Sequence, residues 1–258
     1  MYSKEELQQG LTTQVVGSKI FVFETIDSTN ACARTLGDAG TQEGAVVVAN
    51  FQTSGRGRLG RIWLSDPDAN LLFSVLLRPR ISVEVSGQLT LYASVAIARA
   101  IEQCIGEPVE CKWPNDLLLN GKKFCGILLE NSSQQSELSY AVIGAGINVN
   151  QQTLSPEIAS RATSLSIETG KTFDRKQVFH AVLRELDLLY KSAREGDFSF
   201  IEAEWTRRCL MFGKTVTVQQ HDHTIAGTVL RLNHDAGLVI ATSEGVQTIY
   251  AGDVTLVS

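Results

Sequence analysis

Apolar residues fall into two rhythms along this chain, and the rhythms divide it. Residues 19–25 (Lys-Ile-Phe-Val-Phe-Glu-Thr) are rich in β-branched and aromatic side chains and predict a strand. Residues 44–50 predict a second. Residues 70–78 form an unbroken apolar run bounded by Pro67 and Pro79, the pattern of a strand buried on both faces. Residues 87–104 carry Leu89, Leu91, Tyr92, Val95, Ala96 and Ile101 at largely helical spacing and predict a core helix. Strand pieces at 109–113 and 117–119 are interrupted at Pro114. Asn120-Gly121 marks a hairpin turn, and 124–130 is the returning strand. Residues 139–150 predict a further buried strand whose Gly144 and Gly146 leave room for close approach to the backbone. A loop with one helical turn spans 151–172. Asp174 then caps a helix over 175–194, and 198–207 predicts another. From Gly213 the rhythm changes to short strands separated by turns, a small barrel or sandwich too small to fold comfortably alone. The expectation is an α+β protein with a main domain over residues 1–210 and a small β domain over 211–258, packed together.

Composition narrows this picture. The chain has 258 residues, and Lys+Arg 23 against Asp+Glu 28 gives a net charge of −5. That argues against a nucleic-acid surface over the whole chain but leaves room for a local basic site. The start lacks the apolar core of a signal peptide, and no apolar run approaches the ~20 residues a membrane span needs. Five cysteines form no C-x-x-C pair, which points to reduced thiols in a cytoplasmic protein. His221-x-His223 is the one close histidine pair and lacks a third ligand nearby, so a metal reading there is weak.

The chemistry gathers in a few stretches. Gln52-Thr53-Ser54-Gly55-Arg56-Gly57-Arg58-Leu59-Gly60-Arg61-Ile62-Trp63 alternates glycines with arginines, a backbone-and-guanidinium cradle for an anion, expected to be mobile when empty. Gly55, Gly57 and Gly60 fit G-x-G-x-x-G, but no helix opens at the last glycine as a dinucleotide site requires, and no Lys-Ser or Lys-Thr completes a P-loop. A solvated surface loop is the bland alternative. Asp27-Ser28-Thr29-Asn30 offers caps for the following helix or groups that face a ligand. Lys112, Asn115, Asp116 and Lys123 fall on adjacent strand ends. Trp-Pro-Asn-Asp at 113–116 interrupts an apolar strand, a local conflict that points to a site. Asn148 and Asn150 alternate onto one face, where they would read a base edge or simply begin a loop. Cationic groups without an evident nucleophile suit phosphoryl or nucleotidyl transfer by positioning and charge stabilisation.

Five stretches, at 27–30, 52–63, 112–116, 121–130 and 144–150, together resemble biotin–protein ligase, in the family's order and over most of the first 150 residues. Gly252-Asp253-Val254-Thr255-Leu256 is similar to the end of that family's small domain, where glutamate more often follows the glycine. The resemblance implies a mixed sheet flanked by helices, in the class II aminoacyl-tRNA synthetase-like biotin–lipoate ligase fold, with a small SH3-like β-barrel. It implies that biotin and Mg·ATP give biotinyl-5′-AMP, whose acyl group passes to a lysine of a biotin carboxyl carrier protein. Ser28, Thr29, Asn30, Gln52, Gly55, Arg56, Gly57, Arg58 and Lys123 would bind biotin. Arg56, Arg58, Arg61, Trp63, Lys112, Asn115, Asp116, Lys123 and Asn148 would serve ATP and the adenylate, with Trp63 and Asn148 at adenine. Lys123 and Arg58 would be catalytic, and Asn115 and Asp116 would lie near magnesium. The region begins by Lys19, so the form without an N-terminal DNA-binding domain is expected, with no DNA or membrane partner. Dimerisation through a sheet edge is left open. So are two alternatives: a non-catalytic biotin or biotinyl-AMP sensor, and a lipoate or octanoate ligase of the same fold.

Overall fold

The seven strands of the main sheet are β1 (Lys19–Ile26), β2 (Ala45–Gln52), β3 (Leu71–Leu77), β4 (Glu110–Lys112), β5 (Asp116–Leu119), β6 (Lys122–Gln134) and β7 (Glu137–Ile147). They lie in the order β1-β2-β3-β7-β6-β5-β4. β1 and β2 run parallel and every other pairing is antiparallel, so the sheet is mixed. This computed structural model describes residues 2–220 and 223–257. The parallel pair needs a crossover, which α2 (Thr29–Asp38) supplies. The remaining helices are α1 (Lys4–Gln8), α3 (Gln88–Ile105), α4 (Leu165–Thr169), α5 (Arg175–Ala193) and α6 (Ser199–Arg208).

Strand periodicity sorts side chains between the two faces. Val46, Val48, Phe73, Val75 and Leu77 join α3 and α5 in the large core, where Phe73 meets Phe179 edge-on at 5.5 Å. Val47 and Leu76 face the other way, with Tyr140, Val142 and Ala33 of α2. All of β3 is buried, as its continuous apolar run requires. The hairpin between β5 and β6 takes positive φ at both Asn120 (49°) and Gly121 (75°), the conformation for which Asn-Gly is suited. Asp174 caps α5 by accepting from the Lys176 N–H at 2.8 Å.

Two boundaries differ from the pattern. β6 runs on to Gln134 rather than stopping near Glu130. β7 ends at Ile147 rather than Asn150, because the backbone there leaves the sheet. The Leu165 and Ser166 N–H groups donate to the carbonyls of Asn148 and Val149, and the Asn150 N–H donates to Ala69. Asn148 and Asn150 therefore do not share a strand face. The Asn150 carboxamide clamps Phe173, donating to its carbonyl at 2.8 Å and accepting from its N–H at 2.9 Å. A base-reading role for Asn150 is corrected by this contact.

The C-terminal strands β8 (Thr215–Gln220), β9 (His223–Leu232), β10 (Leu238–Thr242), β11 (Gly245–Ile249) and β12 (Asp253–Leu256) form a five-stranded antiparallel sheet, order β11-β10-β9-β8-β12. This is the small C-terminal β domain expected from the change of rhythm, with β11 and β12 at the two ends of the strand order. β9 pairs with β8 over residues 223–228 and with β10 over 228–232. Its apolar face (Val216, Val218, Val229, Leu238, Ile240) merges with the core of the main sheet. The β9–β10 turn also grips the main sheet: the Trp113 indole N–H donates to the Ala236 carbonyl at 3.0 Å and Gln88 to His234 at 2.8 Å. Among the described residues no helix is long and apolar enough to cross a membrane, and no group of three or more His, Cys, Asp or Glu side chains is placed to hold a metal ion. His221 lies outside the described residues.

Candidate active site

A cleft of about 1310 Å³ opens on the face of the sheet that carries α2. Its walls are the 52–63 loop, the ends of β5 to β7, the 153–162 loop and β12. Every residue that the resemblance assigns to biotin, ATP or catalysis lines it except Gly55, whereas Asp27 and Asn150 do not. Gly55 is buried in the loop itself, where a Cβ would lie 2.6 Å from the Trp63 carbonyl oxygen, and it borders a second groove beside Leu128 and Glu130.

The loop is a small hairpin. Gly57 donates to Arg61 at 2.7 Å and Trp63 to Gly55 at 3.0 Å, with a 3-10 turn over Arg58–Gly60 at the tip. Leu59 (φ 54°) and Gly60 (φ 74°) make that turn in the left-handed region, which explains one glycine of the pattern. The tip is not a helix start, consistent with the failure of the dinucleotide spacing.

At the closed end, where α2 begins, the polar groups are matched among themselves. Ser28 caps the helix, its hydroxyl accepting from the Ala31 N–H at 3.4 Å. The Gln52 carbonyl oxygen accepts from the Thr29 N–H at 2.7 Å and from the Thr29 hydroxyl at 3.0 Å. Asn30 donates to Glu130 at 2.8 Å and accepts from Ser74 at 2.6 Å. Its carboxamide rests on Gly144, where a Cβ would collide with Oδ1. The room beside Gly144 is therefore taken by this chain's own side chain. The bed made by Gly126 and Gly146 is likewise covered by the Trp63 indole, since a Cβ at either would run into the ring. The indole N–H is buried there without a hydrogen-bond partner, an orphaned donor that marks a place for an acceptor.

The open end is cationic. Six Lys or Arg side chains line the cleft against three Asp, in a chain of net charge −5. Lys123 lies at the junction of the two ends, with Nζ 2.5 Å from Asp116 and 5.5 Å from the centre of the Trp63 ring. Arg58 reaches Asn115 Oδ1 at 3.4 Å, and Asn115 donates onward to the Ile127 carbonyl at 2.6 Å. Burial lowers the Arg58 pKa, partly countered by Asp116. Lys112 sits opposite Asp116 in the β4–β5 register, so the expected grouping of Lys112, Asn115, Asp116 and Lys123 is observed. Arg61 forms a two-nitrogen ion pair with Asp253 of β12, which holds the Asp253 carboxyl below its usual range. Asn148 donates to the Thr163 carbonyl at 3.0 Å, tying the cleft wall to the residue that follows the 153–162 loop.

Sequence reasoning passed over Ser74, the direct partner of both Thr29 and Asn30. The signal was present: one hydroxyl in the middle of Leu-Leu-Phe-Ser-Val-Leu-Leu, and wholly buried. Arg161 and Asp253 also line the cleft. The latter was visible only as part of a terminal motif.

Residues 22–148 match the Biotin/lipoate A/B protein ligase family. The chain is 36% identical over 256 residues to the bifunctional ligase/repressor BirA of Bacillus subtilis (strain 168), an alignment covering 98% of this chain and 79% of that protein. It is 29% identical over 258 residues to the biotin–[acetyl-CoA-carboxylase] ligase of Mycobacterium tuberculosis, covering 96% and 94%. The fold superimposes with a TM-score of 0.77 on a biotin protein ligase from Aquifex aeolicus in complex with biotin and ATP, at 34% identity, covering 93% of this chain and 98% of that one.

Proposed function

The chain belongs to the Biotin/lipoate A/B protein ligase family, and from that premise we propose that it activates biotin with ATP as biotinyl-5′-AMP and passes the acyl group to a lysine of a biotin carrier protein. The observation that carries this reading is the position of Lys123. Its ammonium stands between a closed end of matched neutral hydrogen-bonding groups and an open end lined by excess positive charge. An acid whose ring fills the closed end would deliver its carboxylate to Lys123, and a nucleotide at the open end would bring its α-phosphate to the same place.

The residues then divide the work. Thr29 and Gln52 receive the ring. Gln52 is held by its oxygen, so its Nε2 is left to donate to a carbonyl. A carboxylate oxygen bonds to the α-phosphorus while the bond to the β-phosphate oxygen breaks, and pyrophosphate leaves with the electron pair. Lys123, Arg58 and Lys112 stabilise the charge that grows on the phosphoryl oxygens; removing one such donor typically costs about 10²–10³ in rate. In the second step a neutral lysine amine forms the amide and AMP leaves with the electrons of the acyl–oxygen bond. The amine's proton goes to solvent. Closing the 52–63 hairpin over the adenylate keeps water out meanwhile. Trp63 and Asn148 are assigned to the adenine side.

Magnesium fits the donor set in a limited way. Asp116 is a single carboxylate beside the cationic mouth, and this ion is usually held by one or two carboxylates together with substrate phosphates. Asn115 has both ends of its carboxamide engaged, so Asp116 is the residue here that would hold the ion, which would supply further charge neutralisation.

Exchange of labelled pyrophosphate into ATP tests the reading, with biotin, lipoate and octanoate compared side by side. Exchange with biotin alone is expected. Exchange only with another acid would reassign the substrate, and no exchange from folded protein would leave a binding protein without the activation step.

A further inference from the structure

Glu130 does not itself line the cleft, yet it holds Asn30, the group that decides which way the hydrogen bonds at the closed end point. We propose that Glu130 is a positioning residue that makes the Thr29 hydroxyl an acceptor toward the ring of the bound acid, beside the donor that Gln52 presents. The inference rests on the biotin reading above and adds a determinant of its recognition.

An ionised carboxylate can only accept. Glu130 therefore has to face the Asn30 amide nitrogen, 2.8 Å away, and the second amide proton points at the Leu128 carbonyl at 3.4 Å. This fixes the carboxamide without appeal to its assigned orientation. Asn30 Oδ1 then faces Ser74 Oγ at 2.6 Å. Ser74 is wholly buried, so water cannot rearrange the contact, and its single proton goes to Asn30. The Thr29 hydroxyl lies 2.8 Å from Ser74 Oγ and 3.0 Å from Gln52 Oε1. Its own proton is directed inward to one of these two oxygens. Toward the cleft, Thr29 is left with lone pairs only.

Gln52 is polarised in the opposite sense. Its oxygen is held by the Thr29 N–H at 2.7 Å, leaving the amide nitrogen free. An acceptor beside a donor is the complement of an N–H beside a C=O, the edge of a cyclic urea. Without Glu130 the Asn30 carboxamide can turn over. Its nitrogen would donate to Ser74, the Ser74 proton would turn to Thr29, and the Thr29 proton would be free to point outward against the ligand's own N–H. Gly144 has its place in the same device, because only a glycine leaves space for the Asn30 carboxamide.

The test compares wild type with Glu130→Ala, Asn30→Asp and the double variant Asn30→Asp/Glu130→Gln in pyrophosphate exchange, with thermal melts alongside. The double variant reverses donor and acceptor between positions 30 and 130 but keeps an acceptor facing Ser74. Each single variant is expected to raise the KM for biotin by about tenfold to a hundredfold, the cost of an unmatched polar pair. The KM for ATP and kcat at saturating biotin should move far less. The double variant should recover most of the loss. Arg34→Ala removes the outer ion partner of Glu130 and a contact with Tyr140, both outside the cleft, and should leave the biotin KM unchanged. The proposal is overturned if folded Glu130→Ala keeps the wild-type KM for biotin, or if the double variant binds biotin no better than Asn30→Asp. Should Glu130→Ala fail to fold, the comparison of Asn30→Asp with the double variant decides. Wild type that shows no biotin-dependent exchange would instead sink the functional reading itself.

Discussion

The two ends of the cleft solve opposite problems. At the closed end, Gln52, Thr29, Ser74, Asn30 and Glu130 form a connected chain of hydrogen bonds, largely out of water. At the open end, arginines and lysines outnumber carboxylates, and several reach the solvent. A matched buried network is rigid and reads the shape and polarity of a neutral ring. An excess of charge is a poor reader but a good stabiliser of phosphate, and it costs little because water and mobile side chains carry it until a nucleotide arrives. On the proposed reading, selectivity and catalysis rest on different physical supports within one cavity, and Lys123 stands where they meet.

The most severe break in this contrast is at that junction. Lys123→Ala is expected to lower pyrophosphate exchange by about 10²–10³ or more while circular dichroism and melting stay close to wild type. Unchanged turnover would remove Lys123 from its role. Next is the closed end: Gly144→Ala drives a methyl into the Asn30 carboxamide and should destabilise the fold by about 1–3 kcal/mol in denaturant titration, with weakened biotin binding. A Gly144→Ala protein as stable as wild type would mean that Asn30 has slack. Arg58→Gly, at the open end, should spare the fold but let the adenylate escape, read as biotin label on bystander lysines. Labelling that stays confined to the carrier would contradict the sealing role of the hairpin.

A smaller effect is expected where the small sheet holds the main one. Trp113→Phe removes the donor to Ala236 and should cost about 1 kcal/mol in stability. The weakest is the Arg61–Asp253 pair. It is largely exposed, so Asp253→Asn should change stability by less than about 1 kcal/mol and act mainly on the KM for ATP, more at low salt. Its pH dependence has a definite sign. Arg61 depresses the Asp253 carboxyl below its ordinary 3.8, so the contribution is present above that value and is lost as pH falls through the lower folded value. Stability measured between pH 6 and 8 should therefore not report on this pair, whereas an acid titration should.

Much of this was legible in the chain because it depends on local rules. The buried β3 run, the Asn120-Gly121 hairpin, the Asp174 cap and the late change to short strands each follow from spacing and turn chemistry over a few residues. The order of the Gly-Arg loop, the Trp-Pro-Asn-Asp break and Lys123 likewise marked a candidate site, since those residue types conflict with a simple strand or surface loop, and the fold brings them to one cleft. Tertiary structure alone decided who partners whom. Asn150 turned out to clamp Phe173 and Asn148 to anchor a loop, because β7 leaves the sheet three residues earlier than its pattern suggests. The glycines of β6 and β7 proved to seat Asn30 and Trp63, from 114 and 83 residues away at their farthest, and Ser74 and Glu130 acquired their meaning only from neighbours on other strands. Sequence spacing carries the periodicity of a single element. The direction of a hydrogen bond between elements is set by the one arrangement in which every buried donor finds an acceptor, and that arrangement exists only in three dimensions.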